Sequence, residues 1–184
     1  MISRPLDDSI IQHANLRALY RYWRGLSDGS AIPKRRDIDP VALRQQLRHV
    51  YLIDAGPTPD DLRYRLAGSV IVDAFGFEPA GLSRGEIRAK HVSPDRYADF
   101  DRTSAETFRI VSERIVTYTH DHMTSYTKDY LAYARLNLPV SEDGKSPSGI
   151  LGAIYLSSDR NPFWQNLQEL HIELPLDRVL ATLG

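Results

Sequence analysis

The chain has 184 residues and a formal net charge of −1, a length that fits one domain with extensions. Its 42% apolar and 26% charged residues are ordinary for a folded soluble protein, and the near-neutral charge gives no reason to expect nucleic acid or membrane as a partner. The absence of cysteine excludes disulfides, thiolate metal sites, cysteine nucleophiles and cysteinyl-flavin adducts.

The first residues, Met1 to Asp8, contain two aspartates and no apolar run like that of a signal peptide. No later segment approaches the roughly 20 apolar residues that span a bilayer. We therefore predict a cytoplasmic protein.

An amphipathic helix is predicted from Ser9 to Leu26. Its apolar stripe, spaced by three and four residues, comprises Leu16, Leu19, Trp23 and Leu26. Asp28 to Ser30 ends it. Asp39 can cap a second, short helix that runs from Pro40 through Leu47, because proline is tolerated at the first helical position.

Two strands follow, His49 to Ala55 and Leu62 to Ala67, joined by a turn-rich hairpin connection. The second strand alternates apolar and charged residues, which predicts a core side and a solvent side. The core side carries Leu62, Tyr64 and Leu66, and the solvent side carries Arg63 and Arg65.

Helices and then strands are predicted in the second half of the chain. Ser69 to Phe75 is a short helix, Glu78 to Val92 is irregular with at most a single turn, and Ser93 caps a helix that continues to about Ser112. Three strands rich in Ile, Val, Thr and Tyr follow: Arg114 to His120, Lys128 to Val140 and Ser148 to Ser157.

Two blocks of residues stand out along this order. The first has Trp23, Gly29, Pro33, Asp37, Asp39 and Pro40; the second runs from Arg63 to Gly68 and on through Phe75-Gly76 to Ala80-Gly81. Together they resemble a bacterial family of stand-alone, single-domain PAS-like proteins, over about Tyr22 to Ser157. The resemblance implies an α+β fold: a five-stranded antiparallel sheet with helices on one face, plus an N-terminal helix.

Three regions follow from this resemblance: an N-terminal helical extension (1–30), a PAS-like core (31–158) and a C-terminal tail that packs on the core (159–184). The implied function is a sensory or signalling module that binds a small molecule, a partner protein, or both. No output domain is visible, so a separate signalling protein would receive the signal. Because flanking helices commonly mediate dimerisation in PAS relatives, we predict a homodimer through the apolar stripe of the first helix.

The predicted ligand pocket lies between the sheet and the helices. Its residues are Tyr64, Leu66, Phe75, Phe108, Tyr130, Gly152 and Ile154. Apolar bodies with hydroxyl groups favour a small, largely apolar ligand. Gly152 can mark the close approach of another group, because it has no side chain.

Other functions remain open. A cone-shaped α+β enzyme could use His120 and Asp73 for acid-base chemistry, but no nucleophile elbow is present and no catalytic residue is predicted. A ligand-free adaptor would have a filled core. His120 and His122 could share a metal on one side of a strand but lack a third ligand, so no metal site is predicted. His91 is the candidate haem ligand, yet its local motif does not match, and the cofactor remains unknown.

Overall fold

The computed structural model of this chain describes residues 8–29, 31–122, 131–157, 162–166 and 168–181. Five α-helices are described: α1 (Ala14–Gly25), α2 (Ser69–Phe75), α3 (Arg84–His91), α4 (Tyr97–Ser112) and α5 (Leu176–Leu180). The described strands are β1 (Val50–Asp54), β2 (Arg63–Ala67), β3 (Ile115–His122), β4 (Ala132–Ser141), β5 (Pro147–Leu156) and β6 (Leu170–Pro175). No described helix is long and apolar enough to cross a membrane.

All six strands form one antiparallel sheet in the order β2-β1-β5-β4-β3-β6. The predicted α+β class and PAS-like arrangement are confirmed, with β6 from the C-terminal tail added beside β3. The sequence prediction did not include β6, because it gave residues 159–184 only as a C-terminal tail that packs on the core.

The two faces of the sheet bury separate hydrophobic cores. On the inner face, β1, β2, β4 and β5 pack against α2, α3 and α4 around Ile53, Ile87 and Phe100. On the outer face, α1 and α5 cover the sheet around Trp23, Leu136 and Val179. The helices of the PAS-like core therefore lie on one face, as predicted, and the N-terminal helix lies on the other.

The apolar stripe of α1 faces this outer core. Leu16, Leu19 and Trp23 are each 0% exposed, and Leu26 is half-buried. The indole Nε1 of Trp23 donates a hydrogen bond of 2.8 Å to the carbonyl of Pro139 in β4. Three residues of the stripe that predicted a dimer interface are thus buried in the chain's own core, so a second copy could contact them only if α1 left the sheet.

Two local predictions were wrong. Residues 40–49 form successive turns with bonds such as Arg44 N to Val41 O rather than a helix. The segment predicted to be irregular contains α3, whose start is fixed by a capping box: Ser83 Oγ accepts from Glu86 N at 3.2 Å, and the Glu86 carboxylate accepts from Ser83 N at 2.8 Å. The Ser-x-x-Glu spacing was visible in the sequence and would have located this helix.

Candidate functional site

A cavity lies on the inner face of the sheet, under α2, α3 and α4. Its volume is about 70 Å³, and it is partly open to solvent. Its apolar wall consists of Ile71, Ala74 and Phe75 from α2 and Ile154 from β5. Tyr64, on β2, meets Phe75 edge to face with ring centroids 6.2 Å apart. This wall suits the hydrocarbon part of a small ligand.

Tyr51 and Tyr133 form the aromatic floor of the cavity. Tyr51 is buried and donates its hydroxyl proton to Asn137 Oδ1, while Asn137 Nδ2 donates to Thr117 Oγ1 at 3.0 Å. Burial raises the pKa of both tyrosines, so each hydroxyl keeps its proton at neutral pH. The floor therefore presents neutral phenols.

Two arginines enter the same cavity from opposite layers. Arg84, the first residue of α3, is only 4% exposed; its Cζ lies 4.6 Å from the Phe100 ring centroid. Arg135 extends from β4, with its Cζ 5.4 Å from the Tyr133 ring centroid. The Nε atoms of Arg84 and Arg135 are both buried without a hydrogen-bond partner.

The mouth of the cavity is more polar. Arg102 is half exposed and bonds Glu106 at 2.9 Å, with Asp99 3.7 Å away. Asp121 and His122, at the end of β3, also line it, and Asp121 Oδ1 accepts from the His122 backbone N–H at 2.7 Å. Charge at the mouth is therefore largely paired within the chain.

A larger, more open depression of about 450 Å³ adjoins this mouth beside β3 and β6. Two arginines line it: Arg102, shared with the mouth, and Arg109, which is bonded to Glu113 at 2.8 Å and to Glu173 at 2.7 Å. Among the described lining residues, no buried side-chain nitrogen or oxygen is without a hydrogen-bond partner.

The sequence prediction placed Tyr64, Phe75 and Ile154 in the pocket, and all three line the cavity. Phe108 does not line it. Its side chain is half-buried beside the inner core, on a different face of α4 from Thr103, which does line the cavity. Tyr130 lies outside the described residues.

Leu66 is a correction with a clear cause. The β1–β2 ladder pairs Ile53 with Tyr64 but Leu52 with Leu66, so Arg65 is an extra residue in a bulge. A bulge interrupts the alternation of side chains along a strand. Leu66 therefore points to the side opposite Tyr64 and is 41% exposed.

Gly152 is the second correction. A Cβ built there would lie 2.5 Å from the Tyr51 hydroxyl oxygen and nearer still to the ring carbons Cζ and Cε2. Its φ is not positive, so space rather than backbone conformation requires glycine. The close approach predicted from the sequence is real, but the neighbouring group is the ring of Tyr51, whose hydroxyl donates a hydrogen bond to Asn137.

The sequence reasoning missed Tyr51, Arg84 and Arg135. One signal was available: Arg135 and Asn137 are polar residues on one face of an otherwise apolar strand, and polar groups on such a face often belong to a site. Nothing in the sequence showed that Arg84, far along the chain, shares that site.

The structure separates the histidines that the sequence considered for catalysis, metal binding or haem binding. His120 is buried on the outer face, hydrogen-bonded to Tyr118, and burial lowers its pKa. Asp73, its proposed catalytic partner, is exposed on α2 across the sheet. His122 instead lies near Asp121 and Glu169, an open cluster at the surface. His91 is exposed and stacks on Phe77 with ring centroids 3.8 Å apart, away from the cavity.

Comparison with known proteins agrees with this architecture. A family model described as PAS domain matches residues 11–155. The chain belongs to the PAS-domain family. PAS domains are in general sensory or signalling modules. Among solved structures, the PAS domain from Bordetella pertussis BvgS is similar at 16% identity and a TM-score of 0.45, over 62% of this chain and 79% of that one. No curated protein matches.

Proposed function

We propose that this PAS domain is a sensory module that binds a small molecule in the inner-face cavity and passes its state to a separate partner protein. The observation that carries the proposal is the cavity itself, where an apolar wall and neutral phenols surround polar groups without partners in the described chain. A core whose purpose is only packing pairs its buried polar atoms. The unpaired atoms support a bound ligand over a filled adaptor core.

The output surface follows from the outer face. Because α1 and α5 already cover that face, a partner would contact their outward sides. Homodimerisation and the cytoplasmic location stay predictions from the sequence. Light scattering of the purified chain tests the first.

Native mass spectrometry of gently purified protein tests ligand binding. We expect a mass above that of the chain, which disappears on denaturation as a small molecule is released. A library of small acids, amides and alcohols should then include compounds that raise the melting temperature. If no adduct is found and no compound stabilises the protein, the adaptor function replaces this proposal.

A further inference from the structure

We propose that the ligand of this cavity is a small monocarboxylate whose carboxylate is bound by Arg84 and Arg135. The inference rests on the proposed ligand-binding function and specifies the chemistry of that ligand. It also revises the largely apolar ligand that the sequence favoured.

The first step concerns uncompensated charge. Among the described residues, neither Arg84 nor Arg135 has a carboxylate within 4.0 Å, whereas Arg88, outside the cavity, bonds Asp101 at 2.7 Å. Within the described residues, Arg84 makes one side-chain hydrogen bond, a long contact of 3.4 Å in which Nη2 donates to Thr103 Oγ1.

A guanidinium stays protonated in proteins, so arginine cannot relieve this burial by losing its charge. Contacts with aromatic faces compensate only part of the desolvation of a guanidinium. An anion from outside the chain would supply the negative charge that the described residues do not place beside these two guanidinium groups.

The second step fixes the charge of that ion. Arg102 is already paired with Glu106 and Asp99, so among the described residues the lining holds two cations without a salt bridge, Arg84 and Arg135, and Asp121 is the one carboxylate that lines the cavity with them. One positive charge remains. A monoanion balances it, whereas the second charge of a phosphate dianion would face Asp121 unpaired.

The third step concerns shape and size. A guanidinium presents a planar fork that matches a carboxylate in two parallel hydrogen bonds. Benzene, with six heavy atoms, occupies an apolar cavity of about 150 Å³, so a volume near 70 Å³ holds about three heavy atoms, and the opening to solvent leaves room for about one or two more. Ile71, Ala74 and Ile154 can then contact a short alkyl group. Acetate and propionate meet these limits.

The test uses the full chain in a buffer free of carboxylates. Calorimetry and thermal shifts are measured with acetate and propionate, with propionamide as the neutral isostere, and with phosphate and chloride at matched ionic strength. We expect the carboxylates to bind and to raise the melting temperature. Propionamide, phosphate and chloride should bind at least tenfold more weakly.

Three variants and a control complete the design. R135M should lose carboxylate binding without a lower melting temperature in the ligand-free state, since it removes an uncompensated charge. R135K keeps the charge but lacks the fork and should bind about tenfold more weakly. D121N should bind carboxylates more tightly and admit phosphate. R88M, which changes an arginine outside the cavity, should bind as the native chain does.

Each contrary result has one meaning. If propionamide binds as tightly as propionate, or R135M binds propionate normally, the carboxylate assignment is wrong while ligand binding stands. Phosphate or chloride binding as strongly as the carboxylates also overturns the assignment. If no compound binds, the native adduct is absent and R135M is less stable, Arg135 is structural and the proposed function fails too.

Discussion

Replacing Gly152 with alanine tests the packing of the cavity floor. The added Cβ would lie 2.5 Å from the Tyr51 hydroxyl oxygen, so the ring must move by about 1 Å to reach an ordinary contact near 3.5 Å. That movement breaks the bond from Tyr51 to Asn137, a residue only 1% exposed.

Overpacking costs about 1 to 3 kcal/mol, and a buried acceptor left without its donor costs a similar amount, so we expect a combined loss of about 2 to 5 kcal/mol. Urea denaturation measures it through the midpoint at constant slope. The fold should survive, with reduced ligand binding because Tyr51 is displaced in the cavity floor.

A double-mutant cycle identifies the cause. In a Tyr51→Ala background the ring is gone, and Gly152→Ala should then cost less than about 1 kcal/mol, giving a coupling of about 1 kcal/mol or more. Gly25→Ala is the matched control, since a Cβ there meets no heavy atom within 4 Å. Equal costs of Gly152→Ala in both backgrounds would refute the role assigned to Tyr51.

Three further changes test other parts of the fold. Trp23→Phe removes the donor to Pro139 O and some buried volume, so the free energy of unfolding should fall by about 2 to 4 kcal/mol. If the oligomeric state changed while the stability did not, the apolar stripe of α1 would instead be a dimer interface. Ser83→Ala removes the cap of α3 and should cost about 1 kcal/mol in urea denaturation, and an unchanged midpoint would contradict the capping box. Backbone N–H groups of Lys145 and Ser146 lower the pKa of Asp143 to about 2, so its stabilisation is complete above its ordinary pKa of about 3.9 and is lost as the pH falls toward 2. The melting temperature of Asp143→Asn should therefore vary less with pH in that range, and parallel curves would argue against this role.

Local sequence patterns predicted most of the helices and strands. The spacing of Leu16, Leu19 and Trp23 predicts a helix, and alternation predicts the strands, because both depend on neighbours along the chain. What that apolar stripe packs against is a different question. The partners of Trp23 lie in β4, and nothing local distinguishes a stripe that meets its own sheet from one that meets a second copy.

The site was harder to predict for related reasons. One bulge residue, Arg65, moved Leu66 to the other face, and bulges have no strict sequence signature. Glycine at 152 correctly indicated a close approach, but only the tertiary structure identifies Tyr51 as the neighbour. Arg84 and Arg135 are 51 positions apart in the sequence, and their shared environment arises from the packing of α3 on the sheet.

The strand order also has a consequence for synthesis on the ribosome. Trp23 bonds a carbonyl 116 residues later, and β1 pairs with β5 through Tyr51 and Gly152. The apolar stripe of α1 therefore emerges long before the strands that cover it, and neither core can close until β5 has been made. Contacts of such long range slow folding and leave apolar surface exposed in the nascent chain. Fragments that stop before β5 should accordingly depend on chaperones and aggregate without them.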